Sequence, residues 1–278
     1  MYPFHQHFLL CLGFFLYVPA SVTAIVHLVR RGEMASRVTQ VLAGGAALCH
    51  TSLLALRAVE CGAFPVLTAL ESLLLFLVLV TVLVLFLGRR FRLPTVVSFS
   101  VPLITAISAG SFLLVRPPAE LPEAHPLLLA SHVSLTVISY VAFTLGFVTG
   151  AMYLAQARQL KSHRPGPLLW LLPPLEVTEA ISVRTIAAGW LMLSLGIALG
   201  ALGLYLGREK LPADAPWHAD PKIVWTGLTW VVYTGIVLIH FLPRFRGLRW
   251  ALVGVLGFGF LIFTYFGAHF LGSGFHRY

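Results

Sequence analysis

This sequence has little charge for its length. Only 10% of its 278 residues are Asp, Glu, Lys or Arg, and Asp214 and Asp220 are its only aspartates. A soluble domain of this length carries about a quarter charged residues, so the deficit excludes an ordinary globular protein. Cysteine is equally scarce. Cys11, Cys49 and Cys61 form no CxxC pair and no metal-ligand spacing, and Cys11 and Cys49 fall inside apolar runs as small packing residues. Nothing there supports thiol redox chemistry. There is no Walker loop, no dinucleotide glycine motif, no HExxH and no Ser/His/Asp order, which leaves a hydrolase or ATPase without support. Nor is any polar stretch long enough to fold separately, so residues 1–278 are expected to form a single transmembrane domain.

Apolar residues fill the space that charge leaves. They make up 58% of the chain, with a mean hydropathy of +0.89. They recur in runs of about 20 residues, the length of a membrane-crossing helix rather than of a barrel strand. The expected fold is all-α, a polytopic helical bundle of about eight spans: Phe8–Val29, Val38–Val59, Leu67–Gly88, Pro94–Val115, Leu127–Gln156, Ser182–Leu206, Ile223–Leu242 and Trp250–Leu271. The first is too long for a signal-peptide core and reads as a span. No internal repeat stands out.

The formal net charge of +9 points to the membrane rather than to nucleic acid, because the basic residues sit in short clusters between spans. Arg30, Arg31 and Arg37 follow span one; Arg89, Arg90 and Arg92 follow span three; Arg158, Lys161 and Arg164 follow span five; Arg244, Arg246 and Arg249 follow span seven. The alternate loops hold far fewer. The positive-inside rule then puts the clusters in the cytoplasm and both termini outside. Between spans five and six, Leu168–Ile181 mixes Trp170, Leu171 and Leu175 with Glu176 and Glu179, a pattern expected to lie along the cytoplasmic face. Gly196, Gly200, Gly203 and Gly207 give span six a small-residue face for close packing.

One stretch departs from the apolar background. Trp217, Asp220, Lys222, Trp225 and Trp230 gather at the external mouth of span seven, within a tryptophan-bearing segment at about 205–230, and the span closes on His240. Asp220 before Pro221 reads as a helix cap followed by a first-turn proline. Ionisable groups inside a span are costly and are functional candidates by default. By depth, His50 lies mid-span two, His240 towards the cytoplasmic end of span seven, His132 near the external start of span five, and His276 in the external tail. Two depth-matched pairs follow, His132 with His276 and His50 with His240. Depth alone leaves His125, His218 and His269 as external alternatives. Paired neutral imidazoles suit haem iron, whereas zinc needs further ligands that are not obviously offered. Glu71 is expected as either a proton relay or a partner of Arg57.

Four stretches together resemble the cytochrome c assembly proteins of the CcsA type. They are Cys49-His50-Thr51 with Leu70-Glu71-Ser72-Leu73; Ser131-His132-Val133-Ser134 with Ser139-Tyr140; Asp220-Pro221-Lys222 through Trp225, Trp230, Tyr233 and His240; and Tyr265-Phe266-Gly267 through Phe275-His276-Arg277-Tyr278. The resemblance implies haem b held between two histidines. His132 and His276 would be external ligands and His50 and His240 intramembrane ones, with Trp217, Trp225 and Trp230 on the porphyrin and Asp220 and Lys222 shaping the pocket or meeting propionates. It further implies a bacterial inner-membrane location, a CcsB- or ResB-like membrane partner, apocytochrome c as acceptor, and at most a share in a haem-attachment complex rather than a catalytic residue of its own. Only Trp217 precedes Asp220 where members usually carry a longer tryptophan run, and Ile223 replaces their usual glutamate. The alternative is therefore a HemX-like membrane regulator of tetrapyrrole synthesis. A transporter of unrelated substrate ranks below both, since Glu71 is the one acidic candidate within a span.

Overall fold

A chain this apolar folds as helices because, in hydrocarbon, each backbone N–H and C=O must find a partner within its own segment. The computed structural model describes residues 4–62, 64–66, 68–91, 93–115, 126–162, 171–207 and 221–271. Among them run eight long α-helices and no strand: α1 (Phe4–Arg30), α2 (Glu33–Cys61), α3 (Ala69–Arg90), α4 (Pro94–Ala109), α5 (Pro126–Lys161), α6 (Leu175–Gly207), α7 (Pro221–Ile239) and α8 (Leu248–Leu271). Six of them, and α4 together with the 3₁₀ helix Gly110–Leu114 that continues it, are long and apolar enough to cross a membrane, and α7 contributes a shorter apolar stretch, Ile223–Ile239. The protein is a multi-pass membrane protein of the expected all-α class.

Two boundaries differ from expectation. The segment expected to lie along the cytoplasmic face is, from Leu175 onward, the first two turns of α6. Its start is set by Pro174, whose carbonyl accepts from the N–H groups of Val177 and Thr178, and by Glu176 in the positive first turn. Residues 163–170 lie outside the described residues. At the other end of the bundle's sequence, α7 stops at Ile239, so His240 sits in a turn rather than in a helix. Pro243 opens a short 3₁₀ turn there, Pro243–Phe245, and a proline cannot extend the preceding ladder.

The chain packs as two compact units, residues 1–118 with 151–180 and residues 119–150 with 181–278. In the first, α1 to α4 are mutual neighbours, with α1 and α2 the most closely apposed. Both offer fully buried alanines, Ala20 and Ala24 on α1 and Ala43 and Ala46 on α2, and small residues let backbones approach. Hydroxyls tie the rest. Tyr17 Oη and Thr81 Oγ1 lie 2.7 Å apart, and His27 Nδ1 and Ser98 Oγ 2.8 Å apart. At the end assigned to the outside, Arg57 grips buried Glu71 through Nε at 2.9 Å and Nη2 at 2.8 Å. Glu71 in turn closes a capping box with Thr68 at the start of α3. Glu71 is thus a partner of Arg57.

In the second unit the Ser182 hydroxyl of α6 donates to the Gly146 carbonyl of α5 at 3.1 Å. Phe143 of α5 stacks on Tyr233 of α7 with centroids 3.5 Å apart. The Thr229 and Thr264 hydroxyls join α7 to α8 at 3.1 Å. Between α6 and α7 lies a reciprocal clasp. The Trp190 indole N–H donates to Thr234 Oγ1 at 2.8 Å, and the Thr234 hydroxyl donates to the Trp230 carbonyl at 2.7 Å. In mirror fashion, Trp230 N–H donates to Ser194 Oγ at 2.8 Å, and Ser194 donates to the Trp190 carbonyl at 2.8 Å.

Candidate functional site

His132 stands one and a half turns into α5, where the second unit packs α5 against α6. Its ring rests on the glycine face of α6. A Cβ on Gly200 would stand 2.7 Å from Cε1 and 2.8 Å from Nδ1 of that ring, so no larger residue fits without displacing it. Held there, Nδ1 lies 2.7 Å from the Gly196 carbonyl oxygen. A carbonyl only accepts, so Nδ1 carries the proton and the neutral ring keeps its lone pair on Nε2. That is the tautomer a metal-binding imidazole needs, with its orientation fixed by the hydrogen bond on the other nitrogen.

His50 is seated differently. It is 0% exposed and its ring leans on α1, where a Cβ at Gly13 would fall 2.4 Å from Nε2. Tyr17, one turn along α1, lies tilted beside it with centroids 5.7 Å apart. The backbone of Leu10 is close by, yet neither ring nitrogen makes a hydrogen bond of sound geometry. A buried polar group left this way costs about 1–3 kcal/mol. Such a cost is retained where a group has another task. Just outward, Gln6, Leu10, Leu53, Arg57 and Glu71 line a small cavity. Gln6 donates to Glu60 at 2.7 Å, while its own Oε1 is buried without a partner.

His240 follows α7 and meets Trp250 of α8 edge-to-face at 4.8 Å. Its Nδ1 is buried without a hydrogen-bond partner, as is the Trp250 indole N–H. Trp225 lies half-buried on α7 with Phe263 of α8 edge-on at 5.8 Å. Trp230 sits one turn further, its N–H engaged in the clasp to Ser194. Among the described residues, no three His, Cys, Asp or Glu side chains come together as a metal-binding group.

Residues 66–276 match the family described as Cytochrome C assembly protein. The chain belongs to that family. It is 30% identical to the cytochrome c biogenesis protein CcsA of Parasynechococcus marenigrum (strain WH8102), over 95% of this chain and 92% of the relative. Identity is likewise 30% to CcsA of Synechococcus sp. (strain RCC307), over 87% and 85%, and to CcsA of Prochlorococcus marinus (strain NATL2A), over 82% and 80%.

For this family member, the expected site residues divide by where they fall. His132, Trp225 and Trp230 belong to the second unit together with His240, and His50 belongs to the first. Trp217, Asp220 and His276 lie outside the described residues, and Lys222 is described only as part of the first turn of α7. Gly13 and Gly200 carry no signal in the sequence that marks them as seats for histidine rings, although the glycine face of α6 is visible there as a packing surface. Trp190, Ser194 and Thr234 likewise stand out only once α6 and α7 are known to be neighbours, as W-x₃-S and W-x₃-T at helical spacing.

Proposed function

We propose that the protein acts in cytochrome c biogenesis by holding haem b between histidine pairs and presenting it, at the outer face of a bacterial cytoplasmic membrane, for attachment to apocytochrome c. The observation that carries this reading is the Nδ1 hydrogen bond of His132 to Gly196 at 2.7 Å, which leaves Nε2 as the iron-binding nitrogen. Haem supplies four equatorial nitrogens of its own, so it asks only one imidazole on each face. This suits a chain in which, among the described residues, no three His, Cys, Asp or Glu side chains form a metal-binding group. His132 and His276 would hold the external haem. Within the membrane, the resemblance to CcsA-type proteins would make His50 and His240 a second pair of ligands.

Trp217, Trp225 and Trp230 would cover the porphyrin, and Asp220 and Lys222 would meet its propionates or shape the pocket edge. Because the Trp230 indole N–H is engaged by Ser194, Trp230 offers the ring face rather than a donor. Attachment needs an acceptor apocytochrome c and a CcsB- or ResB-like membrane partner.

The test is the absorption spectrum of the detergent-purified protein, oxidised and then dithionite-reduced, beside His132→Ala and His276→Ala. Sharp low-spin α and β bands on reduction, weakened in both variants, are expected. A haem-free protein from haem-replete cells would instead favour a HemX-like regulatory role.

A further inference from the structure

We infer that Gly200 is a positioning residue for the external haem. It sets the orientation and donor strength of His132 by letting the imidazole lie on α6 within reach of the Gly196 carbonyl. The inference rests on the proposed ligand role of His132 and goes a step beyond it.

Three observations converge on Gly200. A Cβ at this position would stand 2.7 Å from Cε1 and 2.8 Å from Nδ1 of the ring, closer than side-chain carbons approach one another. The ring nitrogen facing the glycine is the one that donates, at 2.7 Å, to Gly196 one turn earlier on α6. The carbonyl reached in this way also accepts the helical N–H four residues on, that of Gly200 itself. An oxygen with two lone pairs can serve both donors. Gly196 completes the arrangement: its own Cβ would strike Thr136 Oγ1 at 2.9 Å, so its smallness brings α6 close enough for the carbonyl to be reached. Donating Nδ1–H to a carbonyl raises the basicity of Nε2 and fixes the ring plane, and loss of such an outer partner typically lowers metal affinity 10–100-fold.

The simpler account is that Gly200 only lets α5 and α6 pack. Gly203 separates the two. It belongs to the same glycine face, but a Cβ there would meet only Leu128, at an ordinary 3.4 Å.

The experiment compares wild-type full-length protein, Gly200→Ala, Gly203→Ala and His132→Ala, each loaded with haemin. The readouts are the reduced spectrum, the midpoint potential and the rate of haem loss to excess apomyoglobin. Only the haem signal that His132→Ala removes is scored. Gly200→Ala is expected to lose that haem about ten-fold faster than wild type and to broaden its α band, with Gly203→Ala unchanged. Wild-type behaviour in Gly200→Ala overturns the inference, and so does an equal loss in Gly203→Ala, which would mean that packing alone is at work. If His132→Ala removes no haem signal, the ligand reading itself falls, and this one with it. Should Gly200→Ala fail to accumulate in membranes, Nδ1-methylhistidine placed at position 132 removes the Nδ1–H donor and leaves Nε2 intact. Faster haem loss then supports the inference, and an unchanged rate overturns it.

Discussion

The ring of His50 fits against α1 only because residue 13 carries no side chain. With a Cβ placed 2.4 Å from Nε2, Gly13→Ala must push the imidazole off its seat or move α1. Overpacking of this kind costs about 1–3 kcal/mol. The same alanine is harmless once the ring is gone, so Gly13→Ala is expected to destabilise the wild-type background but not the His50→Ala background. A denaturant titration of the four proteins of this double-mutant cycle, in detergent, reads the difference. Additive effects would mean that the ring does not rest where Gly13 leaves room. His50 and His132 thus differ in preparation. His132 is held by a hydrogen bond that puts the proton on Nδ1 and the lone pair on Nε2, while His50 is enclosed with neither ring nitrogen hydrogen-bonded.

At the scale of elements, the α6–α7 clasp joins two helices of the second unit through a closed set of four hydrogen bonds. Each indole N–H ends on a hydroxyl that itself ends on the partner tryptophan's carbonyl. Hydrogen bonds between membrane helices are worth about 1 kcal/mol. Ser194→Ala and Trp230→Phe should therefore each destabilise by about that amount, and together by little more, because they remove the same bond. Ser194→Ala with Thr234→Ala should instead approach the sum, since those two serve different indoles. Unfolding of the single and double variants in mixed micelles distinguishes these cases, and a full sum for Ser194 with Trp230 would dissolve the clasp. The elements themselves were legible, because eight apolar runs of helical length have few other ways to satisfy a backbone in lipid. Their ends were less so. Averaged hydropathy cannot see that Pro174 and Glu176 start α6 early, or that the turn before Pro243 takes His240 out of α7. Pairings such as Arg57 with Glu71 were open at the level of the sequence because they depend on which helices become neighbours. The glycine seats were hidden for the same reason.

At the scale of the whole molecule, orientation decides whether the proposed chemistry is on the correct side. Within each unit, contacts join the start of one helix to the end of an antiparallel neighbour. In the first unit, Gln6 at the start of α1 meets Glu60 at the end of α2, and His27 at the end of α1 meets Ser98 at the start of α4. In the second unit, His132 near the start of α5 meets Gly196 towards the end of α6. This alternation is what the arginine clusters demand, and with them it assigns the end of α2 and the start of α5 to the outside. Cys61 tests the assignment directly. It is an unpaired, half-buried cysteine in the last turn of α2, whereas Cys11 and Cys49 lie within α1 and α2. A membrane-impermeant maleimide added to intact cells is expected to label the protein, and Cys61→Ser to abolish that labelling. A cysteine introduced at Ser162, just beyond the basic end of α5, should label only after the membrane is permeabilised. The reverse pattern would place His132 and the tryptophan-bearing start of α7 in the cytoplasm. Haem could then still bind there, but the protein could not offer it to an apocytochrome on the outer face, and a role on the side of haem synthesis would take its place.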